Sequence, residues 1–291
     1  MNRIGIDIGG TQLRAAAFDG EGRLLAKEVV PNEVALGPEA NLGRLVEAIR
    51  GWDIDFAGIG IGGPGPADFS TGCFLNPPNL PGWEGFCVAG FFSDALGKPA
   101  YLNNDANVAG LAEALMGAGR GRESVFFFTV STGLGGAYVY RGQVVGGAHS
   151  CAAEVFSMLV NEDPYVRGDL NPGCVELQCS GTAMGRIASE RMGRQLDARE
   201  LFALWNAGDK AAAEVVDRAA ENIARMVNNV ASVVDPDIFV WGGSVSLNNP
   251  QFIDLVHEKA RRYVLNPDKL EFALAECGAD AGLIGAALLV G

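Results

Sequence analysis

One pattern occurs twice in this chain, and it constrains the fold more than any other feature. Residues 4–8 are an apolar run, Gly9-Gly10-Thr11 a small polar turn, residues 13–18 a second apolar run, and Asp19-Gly20 a tight turn. Residues 125–130 begin the same series again. Ser131-Thr132-Gly133-Leu134-Gly135-Gly136 follows as a glycine turn, then a run over 137–140 closed by Arg141-Gly142. Both read as strand, turn, strand, turn. Placed at the start of each half, they predict two related α/β lobes. The length of 291 residues is enough for two units at ~150 residues per domain. The expected small lobe is 1–108, completed by 280–291, and the large lobe is 109–279. No low-complexity linker separates them.

The intervening segments fit that class. Leu42, Leu45, Val46 and Ile49 fall on one face of a helix over about 41–50. Residues 56–61 suit a buried strand, and Gly62-Gly63-Pro64-Gly65-Pro66 after them must turn. Val108, Leu111, Ala112 and Leu115 keep helical spacing after Asn103-Asn104-Asp105-Ala106-Asn107. A long apolar stripe from Val215 to Val234 stops at Pro236. Strands are expected at 238–241 and 270–274, and a closing helix at 281–289.

Charge and composition exclude several classes of function. The chain carries 22 basic and 35 acidic residues, a net −13, which disfavours nucleic acid and anionic membranes as partners. It leaves room for a phosphorylated ligand, because backbone amides bind phosphate locally. Asp7 interrupts the first apolar run, so no signal peptide is read there. Six scattered cysteines, Cys73, Cys87, Cys151, Cys174, Cys179 and Cys277, read as reduced thiols in a cytoplasmic protein, not a disulfide framework. Forty glycines, about twice the ~7% average share, cluster in pairs after apolar runs.

Three of those clusters carry candidate chemistry. Asp7-x-Gly9-Gly10-Thr11 sets a carboxylate at a strand end beside bare backbone. It can aim amides and a hydroxyl at phosphate while Asp7 holds magnesium, directly or through water. It is equally compatible with a hairpin whose glycines take positive φ. Thr132-Gly133-x-Gly135-Gly136 and Gly242-Gly243-Ser244 are further turns of this kind, and three together favour a nucleotide. Asn104-Asp105 precedes a helix. Either residue can cap it, and the helix N-terminus also favours an ionised Asp105 that accepts a proton from a bound hydroxyl.

The ordered series IGIDIGGTQLRAAAFD, GIGIGGPGPAD, NPPNLPGW, LNNDANVAGLAEALMGAGRG, VSTGLGGAYVYRGQVVGGA, PGCVELQCSG, FVWGGSV and GADAGLIGAA resembles the ROK (repressor, open reading frame, kinase) family of sugar kinases. The resemblance implies an α/β, two-lobed actin-like ATPase (ribonuclease H-like) fold with a ligand cleft between the lobes. It implies ATP-dependent phosphorylation of a hexose, at the 6-hydroxyl of glucose or an N-acetylhexosamine, as in glucokinases and N-acetylmannosamine kinases. A fructokinase, or a sugar-sensing regulator without its own DNA-binding domain, is the alternative. By this resemblance Asp7, Gly9, Gly10 and Thr11 form one phosphate loop and Thr132, Gly133 and Gly135 another. Gly242 and Gly243 lie by the adenosine. Asp105 is the catalytic base, Asn104, Glu154 and Glu176 bind sugar hydroxyls, and Gly65 and Asn79 belong to sugar-side loops. ATP and magnesium are the implied cofactors and a homodimer the implied assembly.

One segment departs from the family pattern. Relatives carry a histidine shortly after the first sugar-binding Glu and a C-x-C-G-x-x-G-C run, which together hold a structural zinc. Here Ser157 stands at the histidine position and only Cys174 matches the cysteines. Tetrahedral zinc needs four nitrogen or sulfur ligands, so no structural zinc is expected in the usual site. His149, Cys151, Cys174 and Cys179 suffice by count for a rearranged one. Without zinc, Phe156, Met158 and Leu159 are expected to pack beneath the segment.

Overall fold

A computed structural model describes residues 1–291. Its strands are β1 (Arg3–Ile8), β2 (Gln12–Phe18), β3 (Leu24–Pro31), β4 (Ile59–Gly63), β5 (Ala67–Asp68), β6 (Cys73–Phe74), β7 (Ala100–Asn104), β8 (Ser124–Val130), β9 (Leu134–Tyr140), β10 (Gln143–Val144), β11 (Ile238–Gly242) and β12 (Phe272–Leu274). The helices are α1 (Gly37–Gly51), α2 (Val88–Leu96), α3 (Asp105–Leu115), α4 (Val175–Cys179), α5 (Gly181–Met192), α6 (Ala198–Asn206), α7 (Lys210–Val234), α8 (Ser244–Asn248), α9 (Pro250–Ala260) and α10 (Ala281–Leu288).

The repeated pattern produces repeated topology. One five-stranded sheet has the order β3-β2-β1-β4-β7 and the other β10-β9-β8-β11-β12. In the first, β1 runs antiparallel to β2 and parallel to β4. In the second, β8 runs antiparallel to β9 and parallel to β11. The chain divides into two compact units, residues 1–117, 142–152 and 277–291 in one and 118–141 and 153–276 in the other. The expected boundary at 108/109 would cut α3. The helix continues to Leu115, and its buried Leu111, Ala112 and Ala114 keep it whole with the first unit. No helix is long and apolar enough to cross a membrane.

Each unit has its own core. In the first, Ile4, Ile6, Leu13, Ile59 and Ile61 from the sheet meet Leu42 and Leu45 of α1 and Phe92 of α2. On the opposite face α10 lies almost directly on the strands. A Cβ at Gly5 would stand 2.0 Å from the Leu283 carbonyl oxygen and one at Gly60 1.6 Å from that of Ala286. These two glycines are there because no side chain fits beneath the helix. In the second unit Phe128 and Trp241 from the sheet pack with Val216, Ile223 and Met226 of α7 and Phe252 of α9.

Two expectations are corrected. Cys73 and Cys87 are joined as a disulfide, while Cys151, Cys174, Cys179 and Cys277 are free thiols. Phe74 N donates to Phe86 O (3.0 Å) and Ala89 N to Gly72 O (3.1 Å), which sets residues 73 and 87 opposite one another. The glycine turn read over 131–136 is only three residues long. Leu134, Gly135 and Gly136 already belong to β9, with Gly135 opposite Thr129. A Cβ at Gly136 would meet Val155 Cγ2 at 2.9 Å and Ala153 O at 3.0 Å, so that glycine serves packing.

Candidate active site

In the first unit the parallel ladder aligns Asp7 with Gly62 and Gly63 with Asn104, so the carboxyl ends of β1, β4 and β7 come side by side. Open α/β sheets bind ligands at such ends. The β1–β2 turn is held by Gly9 N donating to Gln12 O (2.9 Å), Asn32 Nδ2 to Gly9 O (2.8 Å) and Asn32 N to Thr11 O (2.9 Å). Neither Gly9 nor Gly10 takes positive φ. The requirement at Gly10 is space, since a Cβ there would lie 3.1 Å from Asn79 O. Gly10, Thr11 and Asn79 are exposed.

Asp7 has a partner that sequence reasoning missed. Arg14 Nε donates to its Oδ2 (2.8 Å), Nη2 donates to the same oxygen, and Nη1 donates to Ala279 O (2.9 Å). The pairing follows from the β1–β2 hairpin register, which places residue 14 across from residue 7. Both guanidinium bonds fall on Oδ2, leaving Oδ1 outside that pair. A single hard carboxylate oxygen suits magnesium, which keeps several waters and takes phosphate oxygens as its other ligands. No three His, Cys, Asp or Glu side chains gather as a metal-holding group.

Both residues of Asn104-Asp105 meet the start of α3. Asn104 is the cap of α3, its Oδ1 accepting from Ala106 N (2.8 Å), while Asp105 Oδ1 accepts from the same N–H (2.7 Å). Gly65 is close by, its notional Cβ 3.4 Å from Asn104 Nδ2. Asp105 is reached by solvent yet stands amid enough protein that desolvation raises its pKa. The Ala106 N–H opposes that rise and the charge of Asp7 adds to it.

In the second unit the Ser131–Gly133 turn is stitched to α5, with Gly181 N donating to Ser131 O (2.7 Å) and Thr182 N to Thr132 O (3.3 Å). Glu176 Oε2 accepts from Leu134 N at 3.0 Å and lies 3.1 Å from where a Gly133 Cβ would stand. Gly133 therefore leaves room for Glu176. Gly135 is not in the turn but in β9. At the end of β11, Gly243 has φ +83°, and its Cβ would be 2.4 Å from Val130 O, while a Cβ on Gly242 would strike the Phe127 ring at 2.7 Å. Beyond Gly243, a cavity of about 740 Å³ is lined by Thr132, Thr182, Arg186, Arg199, Ser244 and Asn248 among others. Glu154 is half-buried beside the 3-10 turn Val155–Ser157.

The segment that departs from the zinc pattern is built without a gathered ligand set. Ser157 Oγ donates to Glu154 O (3.0 Å). Cys179 is buried, its thiol pushed well up by desolvation and donating to Ala219 O (3.5 Å), so it is a protonated core group, whereas metal ligation needs the thiolate. Phe156 and Met158 pack against the core, but Leu159 is 62% exposed. Its alternation with Met158 and Val160 along an extended stretch turns it outward.

The ROK family profile matches residues 3–291. The chain belongs to the ROK family. A ROK hexokinase from Thermus thermophilus is 38% identical, with a TM-score of 0.91 over 99% of this chain and 97% of that one. A glucokinase from Streptomyces griseus, solved with glucose and AMPPNP, is 28% identical, with a TM-score of 0.79 over 99% of each chain. An N-acetylmannosamine kinase from Salmonella typhi is 33% identical over 99% of this chain and 98% of its own. This ROK protein shares the α/β actin-like ATPase fold of those sugar kinases.

Proposed function

We propose that this ROK protein transfers the γ-phosphoryl group of ATP to a hexose, at the 6-hydroxyl of glucose or of an N-acetylhexosamine. The observation that carries the reading is Asp105. It is a solvent-reached carboxylate at the start of α3, sharing the Ala106 N–H with the cap residue Asn104, with its pKa raised by desolvation. A base poised upward from the ordinary aspartate range is suited to take a hydroxyl proton as phosphoryl transfer proceeds. Asp105 orients and deprotonates the attacking hydroxyl. Asn104, Glu154 and Glu176 hold other hydroxyls, with Gly65 and Asn79 in the sugar-side loops.

The exposed Gly10 and Thr11 of the turn that Gly9 closes, and the Thr132-Gly133 turn, receive phosphate oxygens. The large cavity beside Gly242 and Gly243 takes the adenosine. Gly135 supports the second turn from within β9. Asp7, oriented by Arg14, would hold magnesium, which would offset phosphate charge. Positioning and preorganised charge carry most of such catalysis. The proposal includes a cytoplasmic homodimer working apart from nucleic acid and membrane, consistent with the net −13 charge.

A coupled ADP-release assay over glucose, N-acetylmannosamine, N-acetylglucosamine and fructose tests the reading. Magnesium-dependent turnover with glucose or an N-acetylhexosamine is expected. Turnover confined to fructose would make it a fructokinase. Sugar binding by calorimetry without ADP release would make it a sugar-sensing regulator.

A further inference from the structure

The chain between Glu154 and Glu176 has little regular structure of its own. It contains the turn Val155–Ser157 and isolated bridges at Leu159–Cys174 and Arg167–Leu170. An irregular segment of this length keeps one shape only if side chains from regular elements hold it. Three arginines on helices do so. Arg218 of α7 reaches Asp163 Oδ2 at 3.1 Å, Arg225 of α7 donates to Val160 O at 3.1 Å, and Arg186 of α5 lies 3.6 Å from the centre of the Tyr165 ring. The first two are about half exposed, at 56% and 46%, whereas Arg186 is 21% exposed. Exposed ion pairs contribute little, while a guanidinium stacked on an aromatic face gains as it loses solvent.

Arg186 also makes bonds on its other edges. Nη2 donates to Leu177 O (3.1 Å), and Nη1 to both carboxylate oxygens of Glu190 (2.9 and 3.1 Å). Leu177 adjoins Glu176, and Glu176 accepts from Leu134 N. The start of α5 returns to the same turn through Gly181 and Thr182. The bonds therefore close a ring from Arg186 through Leu177 and Glu176 to the Ser131–Gly133 turn and back along α5, with Tyr165 stacked on its Arg186 corner. A lysine could keep the charge here but not the flat stack and the several in-plane donors.

We propose that Arg186, stacked on Tyr165, is a positioning residue that fixes Glu176 for sugar binding. This rests on the kinase reading above. It calls for Arg186→Lys, Tyr165→Ala, their double variant, and Tyr165→Phe, which keeps the aromatic face. Arg186→Lys and Tyr165→Ala are each expected to raise the KM for hexose by roughly 3- to 30-fold, the range of a half-buried cation–π contact. In Tyr165→Ala, which lies outside the cavity proposed for adenosine, the kcat and the KM for ATP stay within about twofold, as expected for loss of a uniform binding contact. The double variant behaves like the worse single one, and Tyr165→Phe like wild type. Unchanged hexose KM, an equal rise in both KM values in Tyr165→Ala, or additive effects on the hexose KM in the double variant would overturn the proposal.

Amide hydrogen exchange supplies a readout independent of turnover. Exchange at 175–179 should accelerate in Arg186→Lys and in Tyr165→Ala, and unaltered exchange there also overturns the proposal. If Arg186→Lys does not fold, Tyr165→Ala, changed only on the irregular segment, carries both measurements. Absence of wild-type turnover with every hexose would reject the kinase reading, and the fixing of Glu176 would then stand or fall on the exchange data.

Discussion

Asn104 and Asp105 both accept from the Ala106 N–H, and Asn104 is the cap residue. Because Asn104 supplies the cap, Asp105→Asn should leave α3 formed while removing the proton acceptor. Turnover is expected to fall at least ~100-fold, the low end of what general base catalysis contributes, with sugar binding retained by calorimetry. The pH dependence follows from the raised pKa. Activity requires the ionised form, so kcat/KM falls as pH drops through a value above the ordinary 3.8 of aspartate. Stability has the opposite sign, since a raised acid pKa means that ionising Asp105 costs the fold stability as pH rises from 3.8 through the shifted value. Asp105→Asn should therefore melt no lower than wild type at pH 7, with the difference closing toward pH 4. A variant that retains most turnover would remove Asp105 from the mechanism.

Among the elements, α10 contains the largest demand for absent side chains. A Cβ at Gly285 would sit 1.6 Å from Val108 O on α3, and Val108 is one turn from Asp105. Gly285→Ala should destabilise by at least the ~1–3 kcal/mol typical of overpacking and also lower kcat by tilting the start of α3. Gly43 in α1 is the contrast, with nothing within 4 Å of its notional Cβ. Gly43→Ala should stabilise by about 0.5–1 kcal/mol, the helix-propensity difference, with kcat unchanged. Urea unfolding checks both. The spacing of apolar residues made α10 legible as a helix, since an apolar stretch after Asp280 closes the chain. That Gly5, Gly60 and Gly285 permit its contacts was not legible, because the partners are more than 50 residues apart in sequence.

At the scale of the whole molecule, covalent links and metals are the features that composition misjudged or left open. The Cys73–Cys87 bond closes a loop with a sequence separation of 14 that contains Asn79, Leu80 and Trp83. Chain-entropy arguments assign a loop of this size ~3 kcal/mol. Reduction should lower the melting temperature, and alkylation of the unreduced native protein should modify the exposed Cys151 but neither Cys73 nor Cys87. Elemental analysis should find no stoichiometric zinc, and activity should survive chelation once magnesium is restored. One zinc per chain, with unfolding on its removal, would mean that thiols and His149 assemble a site after all.

The sequence by itself determined the class of fold, because a duplicated strand–turn–strand pattern is written in local hydrophobic periodicity. It also marked Asp7, a carboxylate at the end of an apolar strand, and Asp105, a carboxylate just before an apolar-faced helix. The tertiary structure decided everything that depends on register and close approach. It set Arg14 against Asp7 and gave capping to Asn104. It drew Gly135 into β9, joined Cys73 to Cys87, and brought Arg186 onto Tyr165. Periodicity says which face a residue occupies, whereas partners arise from where separate segments are laid against one another, and that depends on the whole core.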